Sequence, residues 1–502
     1  MIRLSRWFVH RAPTIGFLLV LSSSVTNEVH AQQGSCFVQR EGTGFFLNGC
    51  PYRWTGTNQY FQMIHRRGMD RISVNEVLDE MAARGMTVLR TWAFQDDSGR
   101  SDCLQCAPIR QLGPSDSPVS YLRESTFRGL DELLVEAAAR GIRVILTLAN
   151  NWDDFGGMRR YTLWRFGPQG AGHDAFYNDP IIRMSYEEYV SRIVNRVNYL
   201  NGRRYRDDPT ILAWELANEP RCFDEPCRTE GWVDSWILDM SCFIKSLDPN
   251  HLVTTGSEGF YGAARADGNP ETWMADAGTD FVDNHSGPCI DFATVHVWPV
   301  NWGWEPISQT DRAFELARAY TARRLADGLN VLQKPVVISE FGMARDDRSA
   351  CGDPGNPGTT GIRDRYYQLM YGLCEESAFP VGSCAGALNW IVYDGPSCAY
   401  DDGNGVFLPD DASTDLIMTE HVRRFASCSE IQEGGEFTCS PIGSMDWDCD
   451  VDHLDYGQFH ECLSGPDLDP DSACKAADWF IDGRVDLRDF AEFQLAYSGR
   501  CP

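Results

Sequence analysis

The sequence has no long apolar run after its first 31 residues, so no later segment is long enough to span a bilayer as a helix. It also has little positive charge, since 44 Lys and Arg face 72 Asp and Glu and leave a formal charge of −28 at pH 7. Such a charge repels phosphates and acidic sugars, which argues against nucleic acid and acidic polysaccharide as partners. Neutral glycans fit better, and the 15 tryptophans offer flat rings that either stack on sugars or pack in the core.

The first 31 residues have the pattern of an export signal. Arg3, Arg6 and Arg11 precede a short apolar run at 15–21, and Ala31 supplies the small residue that signal peptidase favours. A membrane anchor is the alternative, but lipoprotein and stop-transfer features are missing. We therefore expect a secreted, extracellular, monomeric chain with no membrane partner.

No cysteine precedes the proposed cleavage point. All 18 follow it, and an even number in an exported chain favours disulfides. Two close pairs, Cys103 with Cys106 and Cys222 with Cys227, could instead belong to metal or redox motifs. Neither pair has a second pair at zinc-ribbon spacing, so disulfides that staple loops are the preferred interpretation.

From residue 53 to about 426, short β-rich runs alternate with amphipathic stretches. This alternation predicts an α/β fold, a (β/α)8 TIM barrel, with strands at 54–60, 87–94, 143–150, 211–216, 252–257, 292–298, 336–340 and 387–393. The predicted helices lie at 72–84, 127–140, 184–197, 232–246, 312–326 and 363–376. An open doubly wound sheet is the alternative, and the stretch 260–289 has no clear helix.

The composition changes after Cys428. We predict a barrel domain at 32–428, a linker at 429–443 that is rich in Gly and Glu, and a small module at 444–502. Within that module, the pattern Val-Asp-x-x-Asp-aromatic-x-x-Phe at 451–459 returns 34 residues later, at 485–493. A repeated Asp-rich loop before an aromatic helix indicates a separate tandem unit.

Two predicted strands end in a glutamate. Trp-Glu-Leu-Ala-Asn-Glu-Pro at 214–220 closes strand four with Glu219, and Val-Val-Ile-Ser-Glu-Phe-Gly at 336–342 closes strand seven with Glu340. In a barrel, both carboxylates would face each other at the carboxyl ends of the strands, where active sites lie. Two facing carboxylates suit the cleavage of glycosidic bonds, whereas rim salt bridges are the structural alternative.

These motifs resemble glycoside hydrolase family 5, and the resemblance covers nearly all of residues 53–426. It implies that Glu219 is the acid/base, that Glu340 is the nucleophile, and that the reaction passes through a covalent glycosyl-enzyme with retention of configuration. It also implies that catalysis needs no cofactor.

The motifs near strands two and three resemble the β-mannanase branch of that family. Leu-Arg-Thr-Trp-Ala-Phe at 89–94 implies that Arg90 orients Glu340 and that Trp92 lines the sugar cleft. Asn150 opens the run Asn-Asn-Trp-Asp-Asp-Phe-Gly-Gly at 150–157, which resembles a cleft loop of those enzymes.

Three further residues take roles from the same resemblance. Asn218 would hold the 2-hydroxyl of the substrate, and Arg221 would contact the sugar of the leaving group. Trp390, on strand eight, would be the platform under the sugar at the cleavage point.

Strand six departs from the family pattern. The family usually has His-x-Tyr there, with the tyrosine hydroxyl near the nucleophile, but this chain has His296-Val297-Trp298. An indole N–H can donate a hydrogen bond but cannot accept one, so the usual role of that residue is in doubt. His296 is either a substrate-site residue or a satisfied buried histidine.

The tail resembles degenerate dockerin-type EF-hand repeats. In the second copy Phe480 occupies a ligand position, and a structural Ca²⁺ would be held by the remaining acids, Asp478, Asp482, Asp486 and Asp489. Such a module implies a protein partner for the tail. A disulfide-held helical tail with solvated acids is the alternative.

The residues and the resemblance together thus imply a secreted retaining endo-β-1,4-mannanase that acts on a neutral plant-type mannan. Another retaining β-1,4-glycanase, such as a glucanase, is the first alternative, because the catalytic pair does not encode the identity of the sugar. A non-catalytic glycan-binding scaffold protein is the second, and the intact pair of glutamates argues against it.

Overall fold

The computed structural model describes residues 37–47, 50–62, 74–96, 105–106, 121–122, 124–170, 172–346, 359–394, 403–408 and 410–425, with residues 459, 460, 462, 485 and 490 of the tail. The predicted export signal at 1–31, the linker at 429–443, the calcium ligands and Cys103 lie outside these residues.

Eight parallel strands form the central sheet: β4 (Trp54–Asn58), β5 (Val88–Trp92), β8 (Arg143–Thr147), β9 (Ile211–Glu215), β10 (Leu252–Thr254), β11 (Ala293–Val297), β12 (Val336–Phe341) and β13 (Cys384–Asn389). Their order in the sheet is β10-β9-β8-β5-β4-β13-β12-β11. The two end strands of this order are joined by backbone bonds from Asp291 N to Val253 O at 2.8 Å and from His296 N to Glu258 O at 3.0 Å. The predicted (β/α)8 barrel is therefore confirmed, and the open doubly wound sheet is excluded.

Helices follow the strands and cover the outside of the barrel. They are α1 (Val74–Ala83), α2 (Glu124–Ala138), α3 (Gly157–Phe166), α4 (Ala175–Asn178), α5 (Pro180–Val194), α6 (Glu225–Glu230), α7 (Trp232–Leu247), α8 (Phe281–Ser286), α9 (Thr310–Asp327), α10 (Gly361–Glu376) and α11 (Ala412–Phe425). Helices pack on the outer face of the barrel strands, and the barrel interior packs on their inner face. Nearly every residue of the eight barrel strands is therefore buried.

A small antiparallel sheet covers the amino-terminal ends of the barrel strands. It comprises β1 (Gln39–Glu41), β2 (Gly44–Leu47) and β3 (Cys50–Pro51). Phe45 stacks on Trp54 with ring centroids 4.6 Å apart and meets Phe292 edge-on at 5.4 Å. These contacts extend the interior core below the barrel, which leaves the carboxyl ends of the strands for a site.

Four shorter strands complete the strands of the described residues: β6 (Gln105–Cys106), β7 (Tyr121–Leu122), β14 (Val392–Asp394) and β15 (Val406–Leu408). The eighth predicted strand, 387–393, is wrong in its bounds, because β13 begins at Cys384 and ends at Asn389, before the separate strand β14. The stretch 260–289 contains two 3₁₀ turns, at Ala263–Gly268 and Thr272–Asp276, before the short α8.

Three disulfides connect described cysteines. Cys222 is bonded to Cys227, Cys242 to Cys289 and Cys374 to Cys384. The preferred interpretation of the pair at 222 and 227 as a loop staple is therefore confirmed. Within the described part of the chain, no helix combines the length and apolar character needed to cross a membrane.

Candidate active site

Glu219 and Glu340 meet at the carboxyl ends of the barrel strands. Glu340 lies in β12, and Glu219 follows β9, where it adopts a left-handed backbone with φ of 53°. This conformation costs an L-residue about 1–2 kcal/mol, and the bond from Glu219 N to Gly256 O at 2.9 Å helps to hold it. One oxygen of each carboxylate and a ring nitrogen of His296 lie within 4.8 Å of one another.

Three donors surround the Glu340 carboxylate. Arg90 Nη1 donates to Oε1 at 2.6 Å, and Trp298 Nε1 donates to Oε2 at 3.2 Å. His296 Nδ1 lies 3.4 Å from the same Oε2. The tryptophan of strand six thus occupies the position near Glu340 where the family pattern predicts a phenol.

The space for that indole is provided by Gly342. A Cβ atom at this position would lie 2.7 Å from Trp298 Cζ3. Any larger residue would push the indole away from Glu340, so the glycine of the Glu-Phe-Gly motif and Trp298 depend on each other.

Glu219 has a different set of donors. His296 Nδ1 contacts Oε1 at 2.8 Å, and Trp152 Nε1 donates to Oε2 at 2.7 Å. Trp152 belongs to the loop 150–157, whose resemblance to a cleft loop was noted above. The two glutamates therefore share His296, and each has an indole donor of its own.

The electrostatics of the two carboxyl groups differ. Burial opposes the charged form of Glu219, but the hydrogen bond and charge of His296, with Arg221 and Trp152, lower its pKa to about 2. Burial, together with the charge of Glu219, raises the pKa of Glu340 against the effects of His296 and Arg90. Burial lowers the pKa of His296, but both carboxylates outweigh it and raise this pKa overall. The free site therefore keeps a proton on the imidazole side of the His296–Glu219 bond.

Arg90 connects the site to the strands beneath it. Besides Glu340, its guanidinium donates to Glu215 Oε1 at 2.7 Å, to Asn58 Oδ1 at 2.9 Å and to Asn218 Oδ1 at 2.8 Å. Asn218 in turn donates to Asn150 Oδ1 at 3.0 Å. The structure thus brings together Arg90, Asn150 and Asn218, as the sequence predicts.

Arg221 lies beside this network. Its guanidinium forms an ion pair with Glu258 and sits 4.8–5.3 Å from the ring centroids of Trp152, Phe260 and Trp273. Because these contacts fix the guanidinium, Arg221 has a defined position at the side of the site.

The predicted aromatic residues occupy different environments. Trp390 is half-buried, stacks on Tyr60 at 5.3 Å and meets Trp298 edge-on at 6.1 Å. Trp92 is only 5% exposed and packs against Tyr60 and Phe155. Trp390 therefore has a surface for a sugar, whereas Trp92 chiefly packs against Tyr60, the ring on which Trp390 stacks.

Three contributors had no individual role in the sequence prediction: Glu215, Glu258 and Trp152. The first two are acids that are 0% exposed. A charged residue within an apolar strand pattern needs a buried partner, and that signal could have found Glu215. Glu258 lies among Gly and Ser after β10, where no such pattern marks it. Burial, with the nearby charge of Glu219, raises the pKa of Glu258 to about 7 although Arg221 opposes it.

A (β/α)8 barrel with two buried carboxylates facing each other at its carboxyl-terminal end is the arrangement of a glycoside hydrolase. Comparison with known proteins agrees with that class. The family model for β-mannosidase-like proteins of glycoside hydrolase family 5 matches residues 35–405. The chain belongs to this family.

Relatives and solved structures cover most of the chain. It is 39% identical to mannan endo-1,4-beta-mannosidase 1 of Oryza sativa subsp. japonica, over 84% of this chain and 94% of that protein. It is 35% identical to putative mannan endo-1,4-beta-mannosidase 4 of Arabidopsis thaliana, over 80% and 94%. The crystal structure of the endo-1,4-beta-mannanase from Rhizomucor miehei is similar, with a TM-score of 0.62, 30% identity and coverage of 77% and 98%.

Proposed function

We propose that this protein is an endo-β-1,4-mannanase that hydrolyses internal β-1,4-mannosidic bonds with retention of configuration. The observation that carries the proposal is that one carboxylate oxygen of Glu219 and one of Glu340 lie within 4.8 Å of each other. Retaining enzymes hold their two carboxyl groups about 5–5.5 Å apart, whereas inverting enzymes need roughly 6.5–9.5 Å to admit a water. The similarity to proteins named as mannan endo-1,4-beta-mannosidases supports the choice of sugar.

In the first half of the reaction, Glu340 attacks the anomeric carbon and the bond to the leaving sugar breaks. Arg90 and Trp298 hold the attacking carboxylate by one hydrogen bond to each oxygen. The proton stored between His296 and Glu219 passes along their 2.8 Å contact to the glycosidic oxygen. Glu340 becomes an ester, His296 becomes neutral, and the leaving sugar departs as an alcohol.

In the second half, a water takes the place of the leaving sugar. Glu219, again an anion held by Trp152, accepts a proton from this water as its oxygen attacks the anomeric carbon. The ester bond breaks, Glu340 regains its charge, and the proton returns to the Glu219–His296 pair. Two displacements on opposite faces give net retention.

The surroundings of the pair suit a neutral polysaccharide. Trp390 offers a half-buried ring, and Trp152 lies at the same mouth beside Arg221. Aromatic faces stack on pyranose rings without requiring a charge on the ligand. The formal charge of −28 disfavours an acidic glycan.

The substrate assignment is tested by measuring reducing-sugar release from mannan, cellulose and xylan side by side, together with the viscosity of the mannan solution. We expect release from mannan alone and a viscosity that falls early, because internal cuts shorten long chains first. Release mainly from cellulose or xylan would identify another retaining glycanase. No release from any of the three would contradict an enzymatic role.

The proposal extends to the location of the protein, which we place outside the cell. The basic and apolar start of the chain and the three described disulfides support an oxidising destination. Mass spectrometry of the protein released by its own producing cells should show an N-terminus at Gln32. A product that retains residues 1–31 in the cytosol would contradict this.

For the tail, we propose a calcium-binding tandem module that docks a protein partner. Phe459 of the first copy and Phe490 of the second stack with ring centroids 6.0 Å apart, which supports packing of the two copies on each other. Calorimetric titration of the chelator-treated full chain with Ca²⁺ should give heat that Asp486→Asn with Asp489→Asn removes. Absence of heat in the unaltered chain would mean that the acids are merely solvated.

A further inference from the structure

Glu215 is a second buried acid of the barrel, and the proposed reaction does not use it. It lies at the end of β9, is 0% exposed, and faces the same guanidinium that holds Glu340. Arg90 Nε lies 3.1 Å from both oxygens of Glu215, and Nη2 lies 2.7 Å from Oε1. Thr147 also donates to Oε1 at 2.8 Å.

The fold reserves space for this carboxylate. Gly256, with φ of 78°, lies so close that a Cβ there would be 2.8 Å from both Cγ and Cδ of Glu215. The same Cβ would be 2.0 Å from the backbone oxygen of Ala217. Glycine at this position therefore lets the Glu215 side chain reach Arg90.

Arg90 has one positive charge and two carboxylate partners. Its Nη1 contacts Glu340 and its Nε and Nη2 contact Glu215, so both sides of the guanidinium are hydrogen-bonded at once. An arginine bound to a single carboxylate would direct its whole charge to that group and lower its basicity. Sharing leaves Glu340 oriented by Arg90 while less of the positive charge opposes its attack on carbon.

We propose that Glu215 is a positioning residue that sets both the orientation and the basicity of the nucleophile by sharing Arg90 with it. The inference rests on the proposed role of Glu340. Glu215 itself touches no substrate, since Arg90 and Thr147 cover its carboxylate. Removing its charge should make Glu340 a weaker base and a weaker nucleophile without altering the sugar platform.

The test compares Glu215→Gln with a matched control, Asp131→Asn. Asp131, on α2, is likewise fully buried and binds Arg196 at 2.5 and 2.8 Å and the Tyr205 hydroxyl at 2.7 Å. Both variants lose a buried negative charge from an arginine pair, but only one of these arginines contacts Glu340. Measurements are kcat, KM, the pH dependence of kcat/KM, and Tm.

In Glu215→Gln we expect kcat to fall about tenfold or more, KM to change little, and the acid limb of kcat/KM to move down by about one pH unit. Asp131→Asn should lower Tm but leave the acid limb in place. An unmoved acid limb in folded Glu215→Gln, or the same shift in both variants, would overturn the proposal.

If Glu215→Gln does not fold, Glu215→Asp supplies the measurement. It keeps the charge but shortens the arm by one methylene, so Arg90 loses its two-oxygen contact and kcat should fall at least fivefold. If this variant has the wild-type kcat, Glu215 has only a structural role and the proposal is wrong. All assays use the polysaccharide that the unaltered protein cleaves, so a failure of the mannan assignment is seen separately.

Discussion

Replacing Trp298 by Phe removes one hydrogen bond from the proposed nucleophile and little else. The indole N–H donates to Glu340 Oε2 at 3.2 Å, and the ring is 7% exposed beside Gly342 and Trp390. Phenylalanine keeps an aromatic ring on the same strand. The variant therefore separates the donor from the bulk of the side chain.

The expected loss follows from the charge of the acceptor. A hydrogen bond to a charged group contributes about 1.5–3 kcal/mol, and each ~1.4 kcal/mol is a factor of about ten in rate. The 3.2 Å contact is long for a charge-assisted bond, so its contribution lies at the low end of that range. Because the bond orients Glu340 for attack, its loss should lower kcat/KM about tenfold. Because the lost donor favoured the anion, the pKa of Glu340 rises, and the acid limb should move up by about one pH unit.

Trp304→Phe is the matched control. Trp304 is also buried, and among the described residues its indole nitrogen has no hydrogen-bond partner. Its replacement should leave the acid limb unchanged. Trp298→Tyr should retain more activity than Trp298→Phe, since a phenol also donates. If Trp298→Phe keeps kcat/KM within twofold and an unmoved limb, the positioning role is refuted.

Three further predictions concern other parts of the barrel. Trp390→Ala should lower kcat/KM by more than tenfold, about 1.4 kcal/mol of transition-state binding, with a melting transition still present; loss of that transition would instead assign Trp390 to the core. Trp152→Phe removes the 2.7 Å donor to Glu219, so the more basic carboxylate should make the His296–Glu219 pair hold its proton more tightly and move the alkaline limb of kcat/KM to higher pH, which a pH–rate profile would show or disprove. His285 donates to Phe281 O and contacts the Thr255 hydroxyl, and burial lowers its pKa from 6.5 to about 3. Because the folded pKa is depressed, its stabilisation is complete above about pH 6.5 and is lost as the pH falls towards 3, by up to about 4 kcal/mol; His285→Gln should flatten the fall of Tm between pH 6 and 4, and an unchanged slope would count against this origin of acid sensitivity.

The barrel could be predicted because its sequence periodicity is local. Short apolar strands and amphipathic helices each show their pattern within one window, so seven of the eight predicted strands overlap the observed ones closely. The eighth was misplaced because the apolar run continues from β13 through Trp390 into β14 without a turn residue. Helix α3 was missed because Gly157–Phe166 has no apolar stripe at helical spacing.

The catalytic pair was predictable, but most of its support was not. Glu219 and Glu340 each close an apolar strand, and that is visible in the sequence. The contacts of Arg90 with Glu215 and of Trp152 with Glu219 join residues 125 and 67 positions apart. Such pairings follow from strand order and side-chain reach in the closed barrel, and no local pattern encodes them.

The most direct test of the account is azide rescue of Glu340→Ala. Removal of the nucleophile should abolish turnover, and azide should partly restore it by attacking from the vacated face, which gives a glycosyl azide of inverted configuration. In Glu219→Ala, azide should instead attack the glycosyl-enzyme and give the retained product. Full residual activity in Glu340→Ala would contradict the assignment, and an inverted azide product from Glu219→Ala alone would exchange the roles of the two glutamates.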